Sequence, residues 1–143
     1  MEPKDPQYRE RVAGIVAGAR FMQALGVELV DVGPGWCATR LPVRQDHWQQ
    51  DAYVHAGVQG SIADHTAGCA AFSLVAADEI ILTVEYKVNL LRPAVGEMLF
   101  CRADVLRPGR TLMVAESTVH AGPDRAAPMV SKATVTMAVT AAR

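Results

Sequence analysis

Residues 57–76, Gly-Val-Gln-Gly-Ser-Ile-Ala-Asp-His-Thr-Ala-Gly-Cys-Ala-Ala-Phe-Ser-Leu-Val-Ala, constrain this chain more than any other stretch. The run is dominated by alanine, glycine and apolar residues, and Asp64 is its one acid. A helix that is apolar all round has to be enclosed all round, so the remaining chain must supply a wrapper. Four long β-branched or alternating runs follow: Ile80 to Arg92, Glu97 to Arg107, Thr111 to His120 and Met129 to Thr140. Turn chemistry at Pro93–Gly96, Pro108-Gly109 and Gly122-Pro123-Asp124 separates them. The last run shows a period of two, with Ala133, Val135, Met137 and Val139 on one side and Thr134, Thr136 and Thr140 on the other.

Upstream, Val27 to Val32 and Trp36 to Val43 flank Gly33-Pro34-Gly35 and read as a β-hairpin. From Pro6 to about Leu25, apolar residues recur at three and four, predicting an amphipathic helix that Gly14 and Gly18 weaken. The polar stretch Arg44 to Tyr53 reads as a loop, a good place for binding groups on a rigid scaffold. Two strands, a helix and four more strands predict an α+β fold: an antiparallel sheet curled around a long central helix, with an additional N-terminal helix. At 143 residues the chain has the size of one domain, spanning 1–143, with the N-terminal helix at about 6–25 and the core at about 26–140.

Charge narrows the function. A formal net charge of −1, with Lys and Arg scattered among acids, lacks the basic surface that phosphate binding requires, so nucleic acid is not the expected partner. Neither a secretory leader nor about 18 uncharged apolar residues in a row occurs, which predicts a cytoplasmic protein without membrane partners. Cys37, Cys69 and Cys101 are widely spaced and read as reduced core residues. No metal-ligand spacing, P-loop or dinucleotide fingerprint is present, so neither metal nor cofactor is expected.

Asp64 falls in the second turn of the apolar helix, where an ionised carboxylate is costly unless partnered or employed. Gly57, Gly60, Ser61, Ala67 and Gly68 surround it at helical spacing and form a slot, either for a substrate or for the close approach of another element. His65 projects about 100° around the helix and is not expected in the same pocket. Val54-His55-Ala56-Gly57 leads into the helix, whose first N–H groups have no intrahelical acceptor and form a ready oxyanion hole. A carboxylate and N–H donors together suit addition to a carbonyl. Ser61 and Cys69 lack a nucleophile elbow or a placed histidine, which argues against a serine or cysteine triad.

His55-Ala-Gly57, Asp64 nine residues after the histidine, and Thr66-Ala-Gly68-Cys-Ala-Ala71 resemble the His-Gly-Gly…Asp/Glu signature of hotdog-fold acyl-CoA thioesterases of the phenylacetate-pathway (PaaI) type. Tyr86-Lys-Val-Asn-Leu-Leu-Arg-Pro93, Gly96-Glu97 and Arg107-Pro-Gly-Arg110 extend the likeness, which covers about residues 26–140. The resemblance implies hydrolysis of an acyl-CoA thioester to a free acid and coenzyme A, the latter being part of the substrate. It implies a homodimer with sheets joined edge to edge, paired again as a dimer of dimers, with active sites at the subunit interface. Asp64 matches the family's general base or nucleophile. Gln49 matches its Asn/Gln that orients water or carbonyl, with Gln50 an alternative, and Thr83 matches a hydroxyl near the attacking water. The Ala56 N–H would polarise the thioester oxygen, with His55 and Gly57 shaping the turn. The usual first glycine of His-Gly-Gly is Ala56 here, and Gly68 stands where relatives carry threonine. Arg92, Arg107 and Arg110 are candidates for the coenzyme A phosphates, since guanidinium suits phosphate. The alternatives are an acyl-CoA hydratase or dehydratase on the same fold, needing an Asp/His pair over the acyl chain, and a non-catalytic acyl-CoA-binding module.

Overall fold

A computed structural model describes residues 1–143. Two short helices, α1 (Tyr8–Gly18) and α2 (Arg20–Leu25), precede the hairpin β1 (Glu28–Gly33) and β2 (Trp36–Pro42). The long helix α3 (Ala56–Phe72) comes next, followed by β3 (Glu79–Leu90), β4 (Met98–Pro108), β5 (Leu112–Ala121) and β6 (Met129–Ala141). All strand pairs are antiparallel and the sheet order is β1-β2-β4-β5-β6-β3. The sheet wraps α3 in the hotdog arrangement that the resemblance implies.

The helix expected over 6–25 is interrupted. Ala19 has extended backbone (ψ 91°) and splits it into α1 and α2, just after Gly18, whose lack of a side chain weakens helix continuity. Gly26 then ends α2 in the left-handed region (φ +92°), where a side chain would be strained and would also press on the Arg44 guanidinium. The Arg44–Tyr53 stretch contains a 3-10 turn at Gln45–His47 and a bridge between Trp48 and Val54. His47 is fully buried in it. Its Nδ1 accepts the Arg44 N–H at 3.0 Å and its Nε2 faces the Leu25 carbonyl at 2.8 Å, which fixes a neutral tautomer protonated at Nε2.

Ile62, Ala63, Ala67, Ala70 and Ala71 of α3 bury completely against Cys101, Ala103, Ala115, Val119, Val135 and Met137 of the sheet. Small helix residues permit this close approach, and buried hydroxyls set the register. Thr39 Oγ1 meets Thr66 Oγ1 at 2.6 Å, and Ser117 Oγ donates to the Ala63 carbonyl at 2.7 Å. Enclosure is nevertheless incomplete. Gly57, Ser61, Asp64, His65, Gly68 and Phe72 remain half-buried or exposed, forming a stripe at three- and four-residue spacing that this chain does not cover. The expectation of a helix buried all round is corrected to a helix buried on the sheet side only.

The stripe adjoins β3, whose outer edge is unpaired. This twelve-residue edge exposes Leu82, Val84, Tyr86 and Leu90, the kind of long apolar edge that pairs with another strand. A bulge between Thr83 and Glu85 makes Val84 the extra residue. The bulge shifts the inward set of side chains from Ile81 and Thr83 to Tyr86 and Val88; Thr83, Tyr86 and Val88 lie opposite the buried Met137, Val135 and Ala133 of β6. Strict alternation would instead have turned Glu85 and Lys87 toward α3. No helix is long and apolar enough to cross a membrane.

Candidate active site

Asp64 is half-buried on the open stripe. Its Oδ1 accepts a hydrogen bond from Thr83 Oγ1 at 2.7 Å, while Oδ2 has no partner within the chain. The inward turn of Thr83 before the bulge places its hydroxyl there. The pair borders a cavity of about 150 Å³ lined also by His65, Gly68, Cys69, Phe72, Ile81 and Ile15 of α1. His65 therefore shares the carboxylate's cavity, contrary to the angular expectation. A 100° step separates side-chain directions, but the cavity is broad enough to reach both. The imidazole lies 3.7 Å from Cys69 Sγ, and burial holds its pKa below the usual histidine value despite the nearby Asp64 charge. The thiols are poor nucleophile candidates. All three are free and buried, the Cys69 thiol and burial push Cys37 up, and burial pushes Cys101 up to about 12.

The helix start is built differently from its neighbours' roles in the sequence reading. His55 is the N-cap: its Nδ1 accepts the Gly57 N–H at 2.8 Å, and its carbonyl accepts from Val58 (3.0 Å) and Gln59 (3.3 Å). The Ala56 N–H alone among these donates to nothing within the chain. Ala56 is helical and not among the positive-φ residues, so its methyl group causes no backbone strain. Two contacts hold this start in place. The His55 N–H bonds the His47 carbonyl at 2.8 Å, and the Val54 N–H bonds the Ala94 carbonyl at 3.0 Å.

A second cavity, about 480 Å³, opens beside Ala56 and is lined by Gln49, Tyr53, Gln59, Leu90, Leu91 and Arg92 among others. Gln49, not Gln50, reaches it. The Gln49 amide is partly occupied by its own turn, with Oε1 accepting from the Asp51 and Tyr53 N–H groups. The three arginines do not converge. Arg92 borders the Ala56 cavity, whereas Arg107 and Arg110 flank the β4–β5 turn near Met113 and Leu74, at the other end of α3. No three His, Cys, Asp or Glu side chains gather where they could hold a metal ion.

Asp64 and the Ala56 N–H thus face separate cavities. They lie eight positions apart on α3, about 12 Å along the axis. Tyr86 lies between. Its ring rests against Gly60, where an added Cβ would stand 3.4 Å from the ring edge, and Gly60 is midway from Ala56 to Asp64. Tyr86 was not singled out in the sequence because its inward orientation depends on the Val84 bulge, for which single-sequence alternation gives no sign. The chain thus presents two separate features, a carboxylate held by a hydroxyl and a helix end with a free N–H donor.

Comparison with known proteins agrees with this architecture. The Thioesterase superfamily profile matches residues 52–127, just over half the chain, from the helix start through β5. A thioesterase family protein from Silicibacter pomeroyi superposes with a TM-score of 0.90 at 36% identity, covering 94% of this chain and 99% of that one. A 1,4-dihydroxy-2-naphthoyl-CoA hydrolase from Listeria monocytogenes is 27% identical over 67% of this chain and 78% of its own. A Streptococcus mutans protein solved with acetyl CoA shares the fold, with a TM-score of 0.72 at 24% identity over 82% of this chain and 91% of that one.

Proposed function

The chain belongs to the thioesterase superfamily, and from that premise we propose that it hydrolyses an acyl-CoA thioester at a site completed by a second copy of itself. The observation carrying this reading is the Thr83–Asp64 hydrogen bond at a cavity mouth, which leaves the second carboxylate oxygen free for a reacting water or carbon.

The Ala56 N–H of one protomer donates a hydrogen bond to the thioester oxygen, and the helix dipole favours the negative charge that develops there. Asp64 of the other protomer either draws a proton from the attacking water or attacks the acyl carbon itself. On the general-base route the tetrahedral intermediate collapses with loss of the coenzyme A thiolate, which takes up the proton Asp64 removed from water, and a carboxylic acid remains. On the nucleophilic route the collapse leaves an aspartyl anhydride, which a water then hydrolyses to the free acid, restoring Asp64. Thr83 fixes the carboxylate orientation. Gln49, at the Ala56 cavity, has one amide N–H beyond its weak contact with Asp51 with which to orient the carbonyl or water. Arg92 borders that cavity and is the arginine best placed for a coenzyme A phosphate, while Arg107 and Arg110 of the same protomer lie too far along the sheet to join it.

Assembly across the β3 edge supplies the missing half. Pairing two such edges satisfies the unpaired backbone groups, buries the exposed apolar side chains and covers the open stripe of α3. A dimer of dimers, the PaaI-type subfamily and a cytoplasmic location belong to the same proposal. A hydratase is less well supported, because the His55 Nδ1 is committed to the Gly57 N–H rather than poised with Asp64.

The direct test is Asp64→Asn, assayed by thiol release from a panel of acyl-CoA esters. Loss of roughly a hundredfold to ten-thousandfold in kcat is expected, with folding unchanged by circular dichroism. Near-wild-type turnover by the folded variant overturns the assignment.

A further inference from the structure

We propose that Gln59 is a substrate-binding residue whose side-chain oxygen accepts a hydrogen bond from the first amide N–H of the pantetheine arm. The inference rests on the proposed hydrolysis of acyl-CoA esters and adds the group that recognises the thiol half of the substrate.

Gln59 is only 3% exposed, yet it lines the cavity of about 480 Å³ beside Ala56. Helical side chains lean toward the start of their helix, and Gln59 does so: its Nε2 donates to the Val54 carbonyl at 3.2 Å, just ahead of the first residue of α3. That carbonyl can only accept, which settles which end of the amide is nitrogen. The other end, Oε1, is buried and has no hydrogen-bond partner within the chain. Bracing the helix start does not account for it. The brace uses Nε2 alone, and a buried acceptor with no donor is destabilising. Ser131 Oγ is the other buried side-chain atom without a partner, but Ser131 does not line this cavity.

The substrate supplies the missing donor. Ala56, which holds the thioester oxygen, and Arg92, which is placed for a phosphate, both line this cavity, so the arm joining thioester to phosphates has to cross it. An amide stands two methylenes beyond the thioester sulfur, and its N–H is the first donor along that arm. The rest of the wall competes little for it. Leu90, Leu91, Pro93 and Ala94 are apolar, and Gln49 Oε1 already accepts from the Asp51 and Tyr53 N–H groups. Leu90, Leu91 and Tyr53 are also the exposed side chains of the wall, free to move aside as the arm reaches the buried oxygen. Because water does not compensate that oxygen beforehand, the incoming N–H gains more than it would at an exposed acceptor.

The test removes the N–H from the substrate. Acetyl-, hexanoyl- and benzoyl-CoA are each compared with an analogue in which an ester oxygen replaces that amide N–H. On the best of the three acyl groups, wild type is expected to show a kcat/KM roughly 5- to 150-fold lower for the analogue, which sets two oxygens face to face. Gln59→Leu should lose most of its advantage on the natural ester and bring the ratio of the two substrates to within about twofold. A merely structural role would lower both substrates together and keep the ratio. Gln59→Met, of similar length, serves if the leucine variant does not fold. Equal use of both substrates by wild type, or a ratio preserved in a folded variant, overturns the role of Gln59 while hydrolysis of CoA esters stands. No thiol release from any CoA ester overturns the hydrolysis itself, and the role of Gln59 with it.

Discussion

Replacing Ala56 with proline deletes one hydrogen-bond donor and almost nothing else. Ala56 is the first residue of α3, where proline's fixed φ suits the helix and its missing N–H breaks no intrahelical bond. Proline also demands extended backbone in the residue before it, and His55 already has φ −59° and ψ 140°. The Ala56 N–H has no partner within the chain, so stability should change by less than about 1 kcal/mol. The His55–Gly57 cap is left intact. Activity should behave differently. Loss of an oxyanion donor costs about 2.7–4 kcal/mol of transition-state stabilisation, a fall in kcat of roughly a hundredfold to a thousandfold. Because the ground-state carbonyl is held less strongly than the oxyanion, KM should move far less than kcat. The assay is steady-state thiol release beside a urea melt, with Ala56→Ser as the control that keeps the N–H. A proline variant that melts normally and turns over within threefold of wild type, roughly the scatter expected of a surface change, would refute the role of this amide.

Thr83→Val should lower kcat by roughly tenfold, the equivalent of one hydrogen bond to a charged group, with Thr83→Ser restoring it. A valine variant with unchanged kcat would remove Thr83 from the site. Burial holds the His47 pKa below its unfolded value, so its neutral form contributes stability that is complete above about pH 6.5 and is lost as pH falls through the depressed value. Urea midpoints measured from pH 7.5 to 5 should therefore decline, and His47→Gln should flatten the decline. An identical slope in the variant contradicts the assignment, since both imidazole nitrogens are committed as a neutral ring.

Much of the fold was legible because its strongest signals are local. The apolar run with one acid, the turn residues and the alternation of residues 129–140 give helix, strands and order, and the strands fall within two residues of expectation. Features without local signals were missed. The bulge at Val84 decides that Tyr86 faces α3, whereas the break at Ala19 follows Gly18, a local weakness that does not by itself mark a break. The open stripe of α3 could not be read at all, because composition shows that a helix needs covering without showing which molecule covers it. At the site, helical spacing pointed to Asp64, and the resemblance supplied Thr83, which the structure places at hydrogen-bond distance. The same spacing misplaced His65, since a cavity gathers side chains over a wider arc than one direction around a helix.

The central claim is that Asp64 and the Ala56 N–H cooperate only across two copies of the chain. Mixing inactive Asp64→Asn with inactive Ala56→Pro, after dissociation and reassembly, tests it most directly. Each mixed dimer would combine the intact amide of one chain with the intact carboxylate of the other at one of its two sites. Random reassortment of a two-fold dimer then predicts recovery of about a quarter of wild-type activity. Activity no greater than the sum of the two parents, with mixed dimers demonstrated by mass, would contradict a shared site.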